Sequence, residues 1–471
     1  MRRLSIALTI VFAGCASTSP KLAIDGASHL VKQRAGEELT WLGDGGDDDA
    51  QKQASAILKR DLTVESAVRV ALLANRKLQT LYEEIGIAHA DLVQAGLLKN
   101  PTVSATYDFP LDASHPGFDT SVVTDLVHLF TIGSRKGIAR AALEGTKYRV
   151  AGEVLRHVYE VKVGYFALQG AQQTFAMRQI VRDSAQAAVE LSRRQYEAGT
   201  ISDLDLANQE ALFAQISTEF RRARADVTLA REHLTRLMGV WGADATWKVS
   251  TKLDDLPARE ASTEHIESKA IAARYDLAAA HKDVQVVSYA LALAKNTRWT
   301  GMVDAGVDFH REAEGVRLLG PSVTVQLPLF DQGQATVARI EAQLRRVKNR
   351  EGALAVDIRS EVRELAARLA VARGIVEDYQ RTLVPTRERV VALSQQQYDA
   401  MLLGVFQLLV AKQNEINAYR EFIEALREYW SLRAELEWKV GGSLERGSAS
   451  AVHPPPHHLN NGEQKHEHHT P

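Results

Sequence analysis

Cysteine is almost missing from this chain, because Cys15 is the only one among 471 residues. An intramolecular disulfide is therefore excluded. Prolines number only 12 and aromatic residues make up 6% of the sequence, a composition that favours long helices over a compact all-β domain. The net charge is also low, since 57 basic and 59 acidic residues leave −2, and this removes any electrostatic case for binding nucleic acid.

Long apolar runs and reacting groups are lacking as well. No stretch beyond the N-terminus reaches the roughly 18 uninterrupted apolar residues that a membrane-spanning helix needs. The sequence has no glycine-rich phosphate loop, no H-E-x-x-H pair and no Cys/His zinc spacing. We therefore expect neither an enzyme nor a bound cofactor, and a role in a membrane would have to depend on lipid or on strands.

The N-terminus carries an export pattern. Two arginines precede the apolar segment Leu4–Phe12, and Ala-Gly stands directly before Cys15. This pattern predicts a bacterial signal peptide over residues 1–14 that ends in a lipoprotein cleavage box, with Cys15 lipidated. The alternative is an ordinary signal peptide with an incidental cysteine. Residues 15–61 are polar and are interpreted as a lipid-anchored segment that forms an extended linker or a wrap, and Ala16 after the cysteine favours the outer membrane.

A duplication of about 200 residues sets the organisation of the rest. Residues 101–130 resemble residues 301–330 at an offset of 200, and the resemblance continues through the helical parts that follow after the register slips by two residues. The matched pairs include Val103 with Val303, Asp108 with Asp308, Phe130 with Phe330, Gly133 with Gly333, Tyr196 with Tyr398, and Gly239 with Gly441. The sequence therefore predicts a first repeat over 62–239, a second repeat over 262–442, and an inter-repeat segment over 240–261.

Each repeat contains a predicted strand hairpin in which apolar and polar residues alternate, although the strand near Ser121–Leu129 alternates less cleanly than the others. The predicted strands cover about 102–110, 119–129, 301–311 and 316–327. Their length and two-residue period match transmembrane barrel strands, whose apolar side faces lipid and whose polar side faces a lumen. The lumen-facing positions would include Asp108, Asp304 and Asp308. The alternative is an ordinary antiparallel sheet with one face in water.

Long helices flank the strands. Thr63 is a predicted N-cap for a helix that runs to about Lys99. Helical hairpins are predicted over 134–239 and 334–440, and the first has heptad-spaced apolar residues typical of coiled-coil packing. Pro385 must kink or restart the outward helix of the second hairpin.

This order of helix, strand hairpin and long helical hairpin, given twice, resembles the TolC family of outer-membrane efflux proteins. Leu329-Phe330-Asp331-Gln332-Gly333 is similar to the strand-to-helix junction of that family. Tyr196-Glu197-Ala198-Gly199, followed by Leu204 and Leu206, is similar to its first hairpin turn. The resemblance covers residues 62–442, which is most of the chain after the signal peptide.

The resemblance implies a mainly α protein with a transmembrane β-barrel. A homotrimer would pool four strands from each subunit into a twelve-stranded barrel, continued by an α-helical tube through the periplasm. Elementary strand geometry agrees, because four strands cannot close around a pore and an open edge in lipid leaves backbone groups unpaired. The expected location is the bacterial outer membrane, with the chain anchored by lipid and extending into the periplasm.

The family also implies partners. Its helical-hairpin turns meet a periplasmic adaptor, or membrane fusion, protein that serves an inner-membrane pump of the RND type. The matching positions are Gly199, Thr200, Ile201 and Ser202 in the first repeat and Met401, Leu402, Leu403 and Gly404 in the second. Met401 stands where glycine is common, so docking at the second turn is expected to differ. We do not transfer the acidic gate of the family, because Asp203 and Asp205 are matched by Val405 and Gln407.

The expected function is a passive efflux conduit, with heavy-metal ions such as copper or zinc as the favoured cargo. Residues 398–412 and 419–438 are similar to the heavy-metal, CusC- and CzcC-like branch of the family. Residues 443–471 are predicted to be a disordered tail, whose histidines are candidate weak ligands for a metal ion. These are His453, His457, His458, His466, His468 and His469. The alternatives are multidrug or solute efflux, a type I secretion channel, and an exported coiled-coil scaffold without a pore.

Overall fold

The computed structural model describes residues 18–43, 45–109, 116–312 and 315–444. The predicted signal peptide, Cys15 and the six tail histidines lie outside these residues. Helices dominate the described part, and its strands form one sheet of two strands and one sheet of four. Within this part of the chain, every helix is too short or too polar to cross a membrane.

The described part of the segment before the first repeat contains two helices and is not an extended linker; it packs against the helices of the repeats, as the wrap interpretation expects. It forms α1 (Lys21–Ala35) and α2 (Asp47–Leu58). Small apolar side chains, among them Ala27 and Val31, give α1 a buried inner face. Because two of its four buried residues are alanine, the periodicity of this face is weak in the sequence, and packing against the repeats stabilises the helix.

The first repeat begins with two helices, where one helix to about Lys99 was predicted. Thr63 caps the first of them, because its hydroxyl accepts the N–H of Ser66 at 3.2 Å. The break falls at Asn75, whose side-chain oxygen caps the second helix by accepting the N–H of Lys77 at 2.8 Å. The elements before the hairpin are β1 (Asp61–Leu62), α3 (Val64–Ala74), α4 (Arg76–Gly96), β2 (Thr102–Asp108) and β3 (Gly117–Asp125).

The helical hairpin of the first repeat begins earlier than the sequence predicts. It consists of α5 (Leu126–Glu197) and α6 (Asp203–Met238). The 72 residues of α5 span about 110 Å at 1.5 Å per residue. The predicted strand over 119–129 ends at Asp125, because the Asp125 carboxylate accepts the N–H of His128 at 3.0 Å and so caps α5.

The second repeat has the same order of elements. After β4 (Lys248–Val249), which pairs in parallel with β1, it contains α7 (Ile266–Ala273), α8 (Tyr275–Thr297), β5 (Val303–Arg311), β6 (Arg317–Val325), α9 (Gln334–Asp378), α10 (Val384–Asp399) and α11 (Val405–Val440). A π turn, Tyr379–Leu383, separates α9 from α10. Pro385 explains it, since proline offers no N–H and its ring crowds the carbonyl four residues earlier.

Buried heptad positions hold the long helices together. Val154, Val158, Val161, Tyr165 and Leu168 are all buried, as coiled-coil spacing predicts. Side chains of α9 and α11 join the same core, with Ile358, Val362, Leu369, Ile423 and Leu426 buried among them. The core therefore runs along the helices and connects the two repeats.

The duplication extends to how the repeats pack. Gly239 ends α6 at φ +74°, and a Cβ there would lie 2.5 Å from the Cα of Asn75. Gly441 ends α11 at φ +85°, and a Cβ there would lie 3.0 Å from the backbone of Ala273. In each repeat a left-handed glycine thus brings the end of the long hairpin against the break between the two short helices.

Candidate functional site

The four-stranded sheet joins the strand hairpins of both repeats in the order β2-β3-β5-β6, with antiparallel pairing throughout. Residues paired across strands lie on the same face. Asp304 pairs with Asp125, Asp308 with Ser121, and Ser121 in turn with Ser104. The hydroxyls of Ser104 and Ser121 are 2.7 Å apart, as this register requires.

The predicted lumen-facing aspartates all lie on this polar face. Asp108 alternates in phase with Ser104 along β2, and Asp304 and Asp308 reach the same face through their partners on β3. Sequence reasoning missed two further aspartates there, Asp119 and Asp125, because β3 alternates less cleanly. The register also places His310 opposite Asp119, and their side chains are in contact. The face is therefore strongly acidic.

The opposite face of the sheet is apolar and exposed. Val103 is 66% exposed, Leu319 74% and Val323 67%. An apolar face of this kind is unfavourable in water and is covered by lipid or by protein. Exposed apolar residues continue past the strand ends into the strand-to-helix junctions, where Leu129, Phe130, Trp299, Leu329 and Phe330 lie.

The first hairpin turn, at the far end of α5, depends on a glycine. Gly199 has φ +70°, and its N–H donates to the carbonyl of Tyr196 at 2.9 Å. Ser202 then caps α6 in a capping box, with its hydroxyl accepting the N–H of Asp205 at 3.1 Å. Hydrogen bonds from Ser202 hold the pKa of the Asp205 carboxyl below its usual value. The turn is therefore polar and well capped.

The second turn has the same backbone with different side chains. Met401 occupies the place of Gly199 at φ +58°, and its N–H donates to the carbonyl of Tyr398 at 2.9 Å. Gly404 occupies the place of Ser202 and offers no side-chain cap to α11. Met401 is 94% exposed and Leu402 79%. The two turns thus differ in surface chemistry and in strain but not in backbone shape.

Between the strands and the hairpin turns, polar contacts connect the long helices to the short helix pairs, α3 with α4 and α7 with α8. In the first repeat, Asn75 Nδ2 and His157 Nε2 both donate to the carbonyl of Leu237, at 2.7 and 2.9 Å. Burial lowers the pKa of His157, and its hydrogen bond to Leu237 opposes this effect only in part. The neutral imidazole is therefore favoured there.

The corresponding junction of the second repeat is charged. Arg274 and Lys439 donate to Glu361 at 2.9 and 3.0 Å. Burial alone would raise the pKa of Glu361, but the hydrogen bonds and charges of Arg274 and Lys439 hold it below its usual value. This cluster ties the break between α7 and α8 to α9 and α11.

Glu260 of the inter-repeat segment adds a third contact point. It accepts from Arg433 at 2.8 Å, from Arg373 at 3.3 Å and from the hydroxyl of Tyr429 at 2.5 Å. Burial and the hydrogen bond to Glu260 raise the pKa of Tyr429 to about 12. The described residues contain no group of three or more His, Cys, Asp or Glu side chains arranged to hold a metal ion.

One family model matches the sequence. It is that of the outer membrane efflux protein family, and it covers residues 67–240, which is most of the first repeat. None of the curated proteins matches the chain significantly.

Solved structures match nearly the whole described fold. A membrane protein from Pseudomonas aeruginosa aligns with a TM-score of 0.69 and 18% identity, covering 80% of this chain and 92% of that one. The outer membrane protein VceC from Vibrio cholerae aligns with a TM-score of 0.68 and 16% identity, over 81% of this chain and 97% of that one. CusC aligns with a TM-score of 0.67 and 14% identity, over 81% and 93%. At these identities the likeness is one of fold.

Proposed function

We propose that this chain, a TolC-like member of the outer membrane efflux protein family, is the outer-membrane channel subunit of a tripartite efflux system. The observation that carries the proposal is the four-stranded sheet, with one acidic face and one exposed apolar face, at the end of long paired helices. The family resemblance implies that three copies close a twelve-stranded barrel, and the two unpaired edges of one four-stranded sheet support association between copies. The helices would continue the conduit through the periplasm.

Lipid anchoring of Cys15 forms part of the proposal and is supported by chain reach. Pro20, just before α1, lies beside Gly86 in the middle of α4. From Gly86 to Gly96, near the start of the strands, is about 15 Å along the helix. The five residues from Cys15 to Pro20 can span about 17 Å when extended, so a lipid on Cys15 can reach the membrane.

Labelling with radioactive palmitate tests the anchor. We expect the wild-type chain to incorporate label and Cys15→Ser to incorporate none. Equal labelling of the two proteins would refute the anchor. The channel proposal would survive that result, since it depends on the strands.

Metal cations are the proposed cargo. The acidic face of the sheet supports a cargo that carries positive charge. In the proposed trimer, the aspartates of this face would line the lumen and raise the local concentration of cations. The five are Asp108, Asp119, Asp125, Asp304 and Asp308. The conduit would be passive, with energy supplied by an RND-type inner-membrane pump through a periplasmic adaptor bound at the two turns.

Growth of a deletion strain tests the cargo. We expect loss of the gene to reduce tolerance of copper or zinc, and the full chain supplied on a plasmid to restore it. The control arm is growth on hydrophobic drugs. Unchanged metal tolerance with lost drug tolerance would reject metal cargo and favour multidrug efflux through the same channel.

A further inference from the structure

The strand-to-helix junctions of the two repeats share an exposed apolar rim. Phe130 is 82% exposed and Phe330 94%. Leu129 and Leu329, which precede them, are exposed as well, and so is Trp299 at the second junction. Exposed aromatic side chains are enriched at the level where a membrane protein meets lipid headgroups. The apolar surface of both junctions is therefore suited to contact lipid.

The basic residues of the first junction are paired within the chain. Lys99 Nζ lies 3.6 Å from the carboxylate of Asp125, which also caps α5. Arg135 Nη1 donates to Nδ1 of His128 at 2.7 Å. The first junction thus supplies its own anion, Asp125, at the N-terminal end of a helix, where negative charge is favourable.

The second junction has an arginine without such a partner. Arg298 directly follows α8, and its Cζ lies 4.5 Å from the centre of the Trp299 ring. Among the described residues, no acceptor reaches its buried Nε and no carboxylate pairs with its guanidinium. The carboxylate of Asp331, in the same junction, accepts the N–H of Gly333 at 2.9 Å instead. A buried guanidinium nitrogen without an acceptor is costly, so this position favours an anion from outside the chain.

The end of α9 lies beside this arginine. A Cβ on Gly333, the N-cap of α9, would lie 3.4 Å from Cβ of Arg298. Gly333 offers no side-chain cap, and the first turn of α9 contains no acidic residue. The N–H groups of a first helical turn carry partial positive charge, which here adds to the charge of the guanidinium. An anion at Arg298 is therefore attracted by both groups.

We infer that the second junction binds the phosphate of an anionic phospholipid at Arg298, with the acyl chains against Phe330 and Leu329. The planar guanidinium matches two phosphate oxygens, and its contact with the Trp299 ring holds it in place. The apolar neighbours favour a lipid over a free phosphate ion, because they gain by covering acyl chains. The matching position of the first repeat is Leu98, so each chain has one such site. Its place at the headgroup level rests on the proposed channel function.

Quenching of tryptophan fluorescence by brominated phosphatidylglycerol tests the site in the purified full chain in nonionic detergent. Bromine quenches only at close range, so Trp299→Phe should remove the quenched component. We expect Arg298→Gln to weaken binding about tenfold, because charge-assisted hydrogen bonds to the phosphate are lost. Arg298→Lys should lose less, because lysine keeps the charge but not the planar fork. Lys295→Gln is the matched control near the same end of α8: this lysine pairs with Glu341 at 2.7 Å, and its loss should leave binding unchanged.

Equal affinity of the wild type and Arg298→Gln would overturn the inference. So would equal binding of phosphatidylcholine with the same acyl chains, because its headgroup has no net charge. Displacement of the lipid by inorganic phosphate alone would also overturn it, since the site would then take a free anion.

The binding measurement needs no ionic current, so its outcome is separate from that of the channel proposal. A chain that binds the lipid and passes no current would contradict the channel alone. A conducting chain whose lipid affinity is insensitive to Arg298→Gln would contradict the lipid site alone.

Discussion

Gly199 and Met401 occupy equivalent positions in the two hairpin turns. Their backbone conformation is the same, but their side chains differ. Both lie in the left-handed region, at φ +70° and +58°. Glycine adopts this conformation without steric cost, whereas a residue with a Cβ is strained by about 1–2 kcal/mol. The sequence difference at the second turn therefore changes its strain and its surface while the path of the backbone is kept.

Replacing Met401 by glycine should relieve this strain. We expect Met401→Gly to raise the local free energy of opening of the second turn by about 1 kcal/mol. Hydrogen exchange at the amide of Leu402, which donates to the carbonyl of Gln397 at 2.9 Å, measures it. Leu402→Gly is the control, because Leu402 is not at positive φ. This substitution relieves no backbone strain and only increases the conformational entropy of the unfolded chain. A turn stabilised equally by both changes would contradict the assignment of strain.

Gly239 faces a second constraint besides its φ of +74°, since a Cβ would meet the Cα of Asn75 at 2.5 Å. We expect Gly239→Ala to lower the free energy of unfolding by about 3 kcal/mol, from strain and overpacking together. Gly199→Ala is the matched control: its φ is +70° and a Cβ there has no atom within 4 Å. It should cost only about 1 kcal/mol. Equal losses in denaturant unfolding would show that the contact with Asn75 is unimportant.

At the scale of elements, periodicity and duplication predict the long helices and the strand hairpins. Heptad spacing identifies Val154 and Val161, and two-residue alternation identifies the polar face that carries Asp108. Alternation cannot distinguish the last strand residues from the first helical turn, so the cap at Asp125 went unnoticed. The sequence does not predict α1, because small buried side chains such as alanine give little periodic signal. It does not predict the break at Asn75 either, because the apolar helix pattern continues across this asparagine and reads as a single helix.

The first helix junction should make stability depend on pH. Burial lowers the pKa of His157 below its unfolded value of about 6.5, so the folded state binds fewer protons there. The stabilisation is therefore present above about pH 6.5 and is lost as the pH falls through and below that value. The charges of Glu160, Lys77 and Arg156 act on the same imidazole.

Thermal unfolding at pH 7 and pH 5 measures this dependence. We expect the wild-type melting temperature to fall between these values by more than that of His157→Gln, whose amide does not titrate. If His157→Gln leaves the change in melting temperature between pH 7 and pH 5 as it is in the wild type, His157 does not cause the pH dependence of stability.

At the scale of the whole molecule, the chemistry of the two sheet faces determines which solvent each face favours, water or lipid. Val323 and Ser322 are neighbours on β6, yet the register places them on opposite faces, paired with Ala305 and Gly306. Val323→Lys should destabilise the protein in the membrane by about 2–4 kcal/mol, whereas Ser322→Lys should cost far less because the proposed barrel places its face toward the lumen. The yield of each chain in purified outer membranes checks this. Equal yields would argue against a lipid-facing apolar side.

The central claim is that copies of this chain form a water-filled pore, and ionic current through the purified full-length protein tests it most directly. Added to a planar lipid bilayer in potassium chloride, the protein should produce discrete conductance steps, and a salt gradient should give a reversal potential that favours potassium over chloride. The acidic sheet face predicts this sign. A folded, membrane-inserted protein that passes no current would contradict the account.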